Sequence, residues 1–450
     1  MQSNQGILKK LILVLILIVI GVGVYFGLKF YNASKQTEIN RPSANKNDDR
    51  TPFQTRTATS GEVIITEETV KAEVINPTPT TSAPLPKPRL VQLWKEPVSG
   101  FGFIPKDKEI ISTTTATTTI RTATSTTATT TISFKRTILK NQLYIYLWDR
   151  ATGNVHQNLA STTEVERLSI YTLPRIEEAH FIDPTTVLVR GLDDTNENTK
   201  TTYVQLVKDS ATSTLFTATE KDVAVNSKFI SVLLDTKKMF YFIQKTGQGV
   251  VANFDLSSFL RVINTSLTEL IPQYVNKTTL AATTKPSAYF EGYLFFINSG
   301  GTGDNQYILG DKYGFTTLVS PDGKKVLYSE IQEDLLQTSV YDIQTKTITA
   351  LTQSTLSEKC AWSADSKKIY CAIPQKLSVA PYPDAWYQGS TSFSDNIWSV
   401  DPNTGEFDVI VALQDQLTDP VDAYNLKISS DNKYLIFQDK YSLTLWKYDL

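Results

Sequence analysis

Gly314-Phe315-Thr316-Thr317-Leu318-Val319-Ser320-Pro321-Asp322-Gly323-Lys324-Lys325-Val326-Leu327-Tyr328-Ser329 reads as two strands around one tight turn. The flanking runs are apolar and β-branched, which suits a pleated, half-buried surface. Between them Pro321 presets φ at the second turn position, and Gly323 supplies the positive φ that other residues resist. A third strand follows at 337–343 and a fourth at 347–351. Four antiparallel strands in about 45 residues make one blade of a β-propeller.

The same grammar recurs toward the C-terminus. Residues 360–370 repeat the hairpin, followed by strands at 396–401 and 406–412. The last repeat has strands at 424–429, 433–438 and 443–448 around an Asp431-Asn432 turn, and it ends one strand short. The missing strand lies at the other end of the domain. Arg89-Leu90-Val91-Gln92-Leu93-Trp94 leads into Glu96-Pro97-Val98-Ser99-Gly100-Phe101, much as Thr347–Thr352 leads into Ser357–Trp362. The N-terminal strand therefore completes the final blade and covers two edges that would otherwise invite aggregation. Inner strands are expected near Phe101, Ala179, Phe229, Gln273, Thr317, Ala361 and Leu426. The second strands of the three degenerate blades are expected at 186–191, 238–244 and 278–284. The count is seven blades, with six and eight as alternatives. The fold class is all-β.

Residues 11–28 carry no charge among eighteen residues rich in Leu, Ile and Val. At about 1.5 Å per residue they span about 27 Å, close to a bilayer's hydrocarbon thickness. A cleaved signal peptide is the alternative, but it needs small residues at its cleavage site, and Tyr25, Phe26, Phe30 and Tyr31 are bulky. The expected arrangement is a short cytoplasmic tail at 1–10, a transmembrane helix at 11–28, a flexible Thr/Ser/Pro-rich stalk at 29–88 and the propeller at 89–450. Flanking positive charges balance almost evenly, so the short tail and the stalk composition decide the orientation with the bulk outside. Thirteen Thr among the 22 residues at 112–133 mark a low-complexity insertion in the first blade, expected as a surface loop. Formal net charge is −2, from 44 basic and 46 acidic residues, which leaves no footprint for nucleic acid.

Cys360 and Cys371 are the only cysteines. If the Asp365–Ser366 step is the hairpin tip, the two face each other across the strands and a disulfide is within reach. Two buried thiols are the alternative.

Ser320-Pro321-Asp322-Gly323-Lys324-Lys325-Val326 resembles the repeats of TolB-type, WD40-like (PD40) propellers, and Trp362-Ser363-Ala364-Asp365-Ser366-Lys367-Lys368 is similar to a variant of them. The resemblance covers about residues 90–450. It implies the fold and leaves function open, because propellers host many unrelated activities. Anchor, stalk and propeller together also resemble envelope proteins of candidate-phylum bacteria, a likeness carried by Arg150–Val155, Leu173–Ala179 and Pro383–Gly389. The separate N-terminal domain of TolB has no counterpart here, so TolB's partners are not implied.

His156 and His180 are the only histidines, and no hydrolase, zinc-protease or nucleotide-binding motif is present. Neither a catalytic residue, a metal site nor a cofactor is assigned. Asp193-Asp194-Thr195-Asn196-Glu197-Asn198 lacks the Gly and distal Glu of a calcium loop and reads as a hairpin loop. Ser299–Asn305 reads as a flexible turn. A second insertion, at 374–396, joins the second and third strands of blade six. Tyr382, Asp384, Trp386, Tyr387, Gln388, Phe393 and Asp395 on it are the ligand or partner candidates, and a cap over the propeller is the alternative. The functional expectation is a non-enzymatic, membrane-anchored scaffold that binds an envelope protein or glycan. An enzyme with a dispersed carboxylate site in the channel and a purely structural surface protein are the alternatives.

Overall fold

Alternating apolar runs broken by tight turns pair with their neighbours in sequence, and the result is seven four-stranded antiparallel sheets. The computed structural model describes residues 88–121, 126–193, 198–208, 215–225, 227–267 and 269–450. The expected tail, membrane span and nearly all of the stalk lie outside the described residues. Among the described residues no helix is long and apolar enough to cross a membrane.

Each sheet begins with an inner strand: Val98–Arg121, Ile176–Asp183, Ile230–Leu233, Leu270–Tyr274, Thr316–Val319, Cys360–Trp362 and Ala423–Ile428. These coincide, to within a residue, with the seven expected positions, so the protein is an all-β seven-bladed propeller. The last sheet runs Ala423–Ile428, Tyr434–Asp439, Leu445–Asp449 and then Leu90–Trp94, the strand from the other end of the domain. Leu90 faces Tyr448 and Gln92 faces Trp446 in that pairing.

The core lies between blades, where the apolar faces of successive sheets meet. Ile182 and Leu188 of blade two pack with Ile230, Met239 and Tyr241 of blade three. Phe240 and Phe242 pack in turn with Leu270 and Leu280 of blade four. The ring closes where Ile436 and Leu445 of blade seven meet Phe101 and Ile145 of blade one. Burying each such side chain contributes roughly 1.5–3 kcal/mol. Blades one and two approach most tightly at Gly100, where a Cβ would stand 2.0 Å from the carbonyl oxygen of Ala179.

Three turns between first and second strands share one construction. Ser320, Ser363 and Ser429 each donate a hydroxyl hydrogen bond to the Asp two residues on, at 2.6, 2.7 and 2.6 Å. The positive-φ position that follows holds Gly323, Ser366 or Asn432. A Pro-Asp-Gly reading captures one of the three; the buried serine is what they have in common.

The Thr-rich insertion differs from expectation. Strands Val98–Arg121 and Thr126–Asp149 run through it in continuous register, with Ser112 opposite Lys135 and Arg121 opposite Thr126. Threonine is β-branched and favours extended backbone, so the segment lengthens the hairpin instead of forming a loop.

In blade six Cys360 pairs with Cys371 and Trp362 with Ile369. The two cysteines are joined by a disulfide, with Cα atoms 4.1 Å apart.

Candidate binding site

Blade six carries its insertion between strands Ile369–Pro374 and Asp395–Val400. A single helical turn, Asp384–Tyr387, lies at its centre. Tyr382, Trp386 and Phe393 are buried there with Leu336 and Leu356. Trp386 and Phe393 stack 6.4 Å apart at 18°. Contacts to two other blades and to the start of blade six itself tie the turn down. Asp384 accepts a 2.6 Å hydrogen bond from the Ala288 backbone N–H of blade four. Lys440 of blade seven donates to the Trp386 carbonyl. Tyr387 donates its hydroxyl to Glu358, which stands just before the inner strand of blade six. Burial pushes the Glu358 carboxyl up, and the Tyr387 hydroxyl works against that shift.

Under this turn lies a buried ionic cluster. Lys359 is fully enclosed, and its ammonium donates to Asp395 at 2.8 Å and also to Asp422. It also lies 4.9 Å from the ring centre of Phe393 and 5.3 Å from that of Trp386. Asp422 further accepts from the Trp386 indole at 3.0 Å and from the Phe393 backbone N–H at 3.1 Å. Asp395 Oδ2 accepts from Ala423 N–H, while its other oxygen has no hydrogen-bond partner. Burial pushes the Asp395 carboxyl up to about 6, with Lys359 opposing and Asp422 adding to the shift. The charges are paired and desolvated, an arrangement that fixes geometry more than it adds net stability.

The central channel holds a cavity of about 440 Å³. Phe101, Phe181, Val232 and Gln273 line it from the first four blades, and Leu318, Ala361 and Leu426 from the last three. His180 and Lys427 are the ionisable residues of that lining. Lys427 donates to the Phe101 carbonyl at 2.5 Å, and burial lowers its pKa to about 8 against the raising influence of Glu178. His180 bonds to Glu178 at 2.7 Å, and Arg190 holds the other oxygen of the same carboxylate.

A larger groove of about 740 Å³ lies beside the cap, between blades six and seven. Leu417, Thr418 and Asp419, from the connection between those blades, form one side. Tyr441, Thr444 and Trp446 form the other, with Gln92 from the closing strand and Ser392 from the insertion. Asp422 and Asp439 reach its floor. Tyr441 is 92% exposed. Its turn is held by Asp439, which accepts from both the backbone N–H and the hydroxyl of Ser442.

The seven candidates of the insertion thus divide. Tyr382, Trp386, Phe393 and Asp395 are buried in the cap and its ionic cluster, and Asp384 is half-buried against blade four. Tyr387 and Gln388 remain exposed. Sequence reading missed Lys359 and Asp422, although both stand immediately before inner strands, where a charged residue enters the interior. It also missed Tyr441 and Trp446. The signal for Tyr441 is an aromatic residue inside a turn whose Asp and Ser chemistry does not call for one. The remaining motifs are structural. Asp193 N–H bonds the Asn198 carbonyl and closes a hairpin, with residues 194–197 outside the described ones. His156 packs on Trp94 at 4.4 Å. Among the described residues no group of His, Cys, Asp and Glu is placed to hold a metal ion.

No family model matches the sequence, and no curated protein matches it either. Solved propellers are similar to it in structure. TolB from Acinetobacter baumannii is 11% identical, with a TM-score of 0.38 over 68% of this chain and 76% of that one. Oligogalacturonate lyase from Vibrio parahaemolyticus is 10% identical, with a TM-score of 0.45 over 69% and 86%. An acylaminoacyl peptidase from Pyrococcus horikoshii is 14% identical, with a TM-score of 0.40 over 59% and 42%. These neighbours include TolB-type propellers and enzymes alike, and at such distances no activity passes from them to this chain.

Proposed function

We propose that this protein is an envelope-anchored binding scaffold that presents its propeller outside the cytoplasm and binds through the groove between blades six and seven. The observation that carries the reading is an aromatic rim, Tyr441 and Trp446, on a preformed groove of about 740 Å³. Ligand sites are concave and mostly apolar, with a few placed polar groups, and this volume lies in their usual range. The channel supports binding over chemistry, because its lining is mainly apolar with Gln273, His180 and Lys427 as polar members. The anchor belongs to the proposal and rests on the uncharged run at 11–28. The resemblance to envelope proteins of candidate-phylum bacteria belongs to it as well.

The test places a photo-crosslinking residue at position 441 in the full chain in intact cells, with position 409 as control. Val409 is exposed on the outer strand of blade six, away from the groove lining. A discrete adduct from 441 and none from 409 supports the reading. Equal capture from both positions refutes it.

A further inference from the structure

Resting on that binding reading, we infer that the groove takes a neutral oligosaccharide, seated against Tyr441 and Trp446 and hydrogen-bonded by Asp419, Gln92 and Ser392. Three features of the groove lead there.

The first is the placement of the aromatic rings. Tyr441 exposes 92% of its surface on a turn whose backbone is held by Asp439, so its ring projects into solvent from a fixed base. A lone exposed aromatic residue is ordinary. This one stands at the rim of a cavity that a second ring, the half-buried Trp446, also lines. Trp446 is held in turn: its indole N–H donates to Thr444 at 3.2 Å, and its ring lies within 8° of parallel to Phe437. Rigid aromatic surface binds with little loss of conformational entropy. The apolar C–H face of a pyranose is the complement of such a surface.

The second is the polar inventory. Gln92 offers an amide, Ser392 and Thr418 offer hydroxyls, and Asp419 offers an exposed carboxylate. A carboxylate accepts through two oxygens and an amide both donates and accepts, so together they match vicinal hydroxyl pairs. Ser392 already donates to Asp422 and keeps only its lone pairs for a ligand, while a purely apolar ligand would cover the Gln92 amide, the Thr418 hydroxyl and the Asp419 carboxylate without pairing them.

The third is charge. Asp419, Asp422 and Asp439 line the groove, and no Lys, Arg or His does. Lys359 neutralises Asp422 from beneath and is itself fully enclosed. Lys440, between Asp439 and Tyr441, is turned to the cap, where it donates to the Trp386 carbonyl and lies over the Trp386 ring. A uronate, sulfated or phosphorylated ligand would meet carboxylates with no cation in the groove lining to pair with, which selects against acidic glycans and nucleic acid.

The experiment titrates purified full-length protein with chitotetraose, cellotetraose and mannotetraose as neutral probes and tetragalacturonate as the acidic one. Binding is read by calorimetry and by tryptophan fluorescence. At least one neutral probe should bind, and tetragalacturonate should bind far more weakly. Tyr441→Ala should weaken the neutral probe roughly tenfold or more, while Tyr441→Phe, which keeps the ring, should stay within about threefold. Asp419→Asn should weaken it less than Tyr441→Ala does. Tyr441 is almost wholly exposed, so unchanged melting of both Tyr441 variants verifies that any loss is local. Three results overturn the proposal: no neutral probe binds, tetragalacturonate binds more tightly, or Tyr441→Ala binds like wild type. If a polypeptide adduct forms at position 441 while no glycan binds, the ligand class is wrong and the binding reading stands. If neither adduct nor glycan is found, both fall.

Discussion

Lys359 Nζ stands 2.8 Å from Asp395 Oδ2 with both side chains fully enclosed, 36 positions apart in sequence. The pair joins the entry to the inner strand of blade six to the strand that follows its insertion. Asp422, at the entry to blade seven, is the third member of the cluster. Removing the cation leaves two buried carboxylates without their partner. Lys359→Met is expected to destabilise the propeller by about 3–5 kcal/mol, measured by denaturant unfolding. A loss below about 1 kcal/mol would show that the cluster rearranges freely or admits water.

The same cluster makes a pH prediction. Burial holds the Asp395 carboxyl at about 6, above the value of about 3.9 of an unfolded Asp. In that window the folded chain binds more protons than the unfolded one, so acidification through it adds stability. His156 opposes this inside the same window, because burial lowers its pKa below the unfolded value of about 6.5, but it does so equally in wild type and in the Asp395→Asn variant. The paired carboxylates act later. Burial pushes Glu178 up, but His180 and Arg190 outweigh it and hold the carboxyl at about 2. Asp342 is held at about 2, first by its hydrogen bond with Lys325. Those two withdraw stability only as pH falls below their unfolded values of about 4.3 and 3.9. Between pH 7 and 5 the Asp395 contribution should rise by roughly 1 kcal/mol. Thermal melting of Asp395→Asn should lack that increment, and parallel profiles for variant and wild type would contradict the assignment.

The Cys360–Cys371 bridge closes a short loop, with a sequence separation of 11. Constraining the unfolded chain over such a loop is worth about 2–3 kcal/mol. Replacing both cysteines with alanine should lower the unfolding free energy by that amount and leave the register unchanged, because Trp362 still pairs with Ile369. The comparison is made in denaturant with reductant present and absent, and reductant should affect only the wild type.

Ring closure can be tested at the N-terminal strand. Leu90 and Leu93 are buried, and Leu90–Trp94 supplies the outer strand of blade seven. Substituting Val91 with proline removes the strand N–H that faces Lys447, since Arg89 opposite Asp449 is the hydrogen-bonded pair two residues before it. The expected cost is about 3 kcal/mol, with faster aggregation by light scattering as the Leu445–Asp449 edge opens. A stable, monodisperse variant would show that the ring holds without this strand.

Gly100 tests blade-to-blade contact. A Cβ there meets Ala179 backbone, which cannot move without shifting blade two. Gly100→Ala should destabilise by about 1–3 kcal/mol, whereas Gly102→Ala, with open space around its Cβ site, should be near neutral. Equal melting temperatures for the two variants would remove the close approach as a constraint.

The repeat was legible because its determinants are local. Turn residues such as Pro321, Asp322 and Gly323 act within a few positions, and alternation along a strand is visible in the chain itself. Even the degenerate blades two to four kept enough alternation to place their inner strands. The Thr-rich segment misled, since low complexity suggested a loop while β-branched residues continued a hairpin. The site was hardly legible. Trp386, between Ala385 and Tyr387, and Tyr441, between Lys440 and Ser442, are both aromatic residues in short connections between strands, and one is 3% exposed and the other 92%. What separates them is distant: Asp422 and Lys440 meet Trp386 from blade seven, and nothing comparable covers Tyr441.

By itself the sequence determined the all-β class, the period, the seven inner strands and the exchange of the N-terminal strand into the last blade. Each follows from backbone propensity and turn chemistry acting over short stretches, and from one edge needing a partner. Tertiary structure alone decided that the blade-six insertion folds inward over Lys359, Asp395 and Asp422, and that the open groove lies one blade further on. Those outcomes depend on which groups desolvate together. Desolvation is settled by neighbours brought from 36 to 63 positions away, such as Asp395 and Asp422 around Lys359, and that proximity is not written in any local pattern.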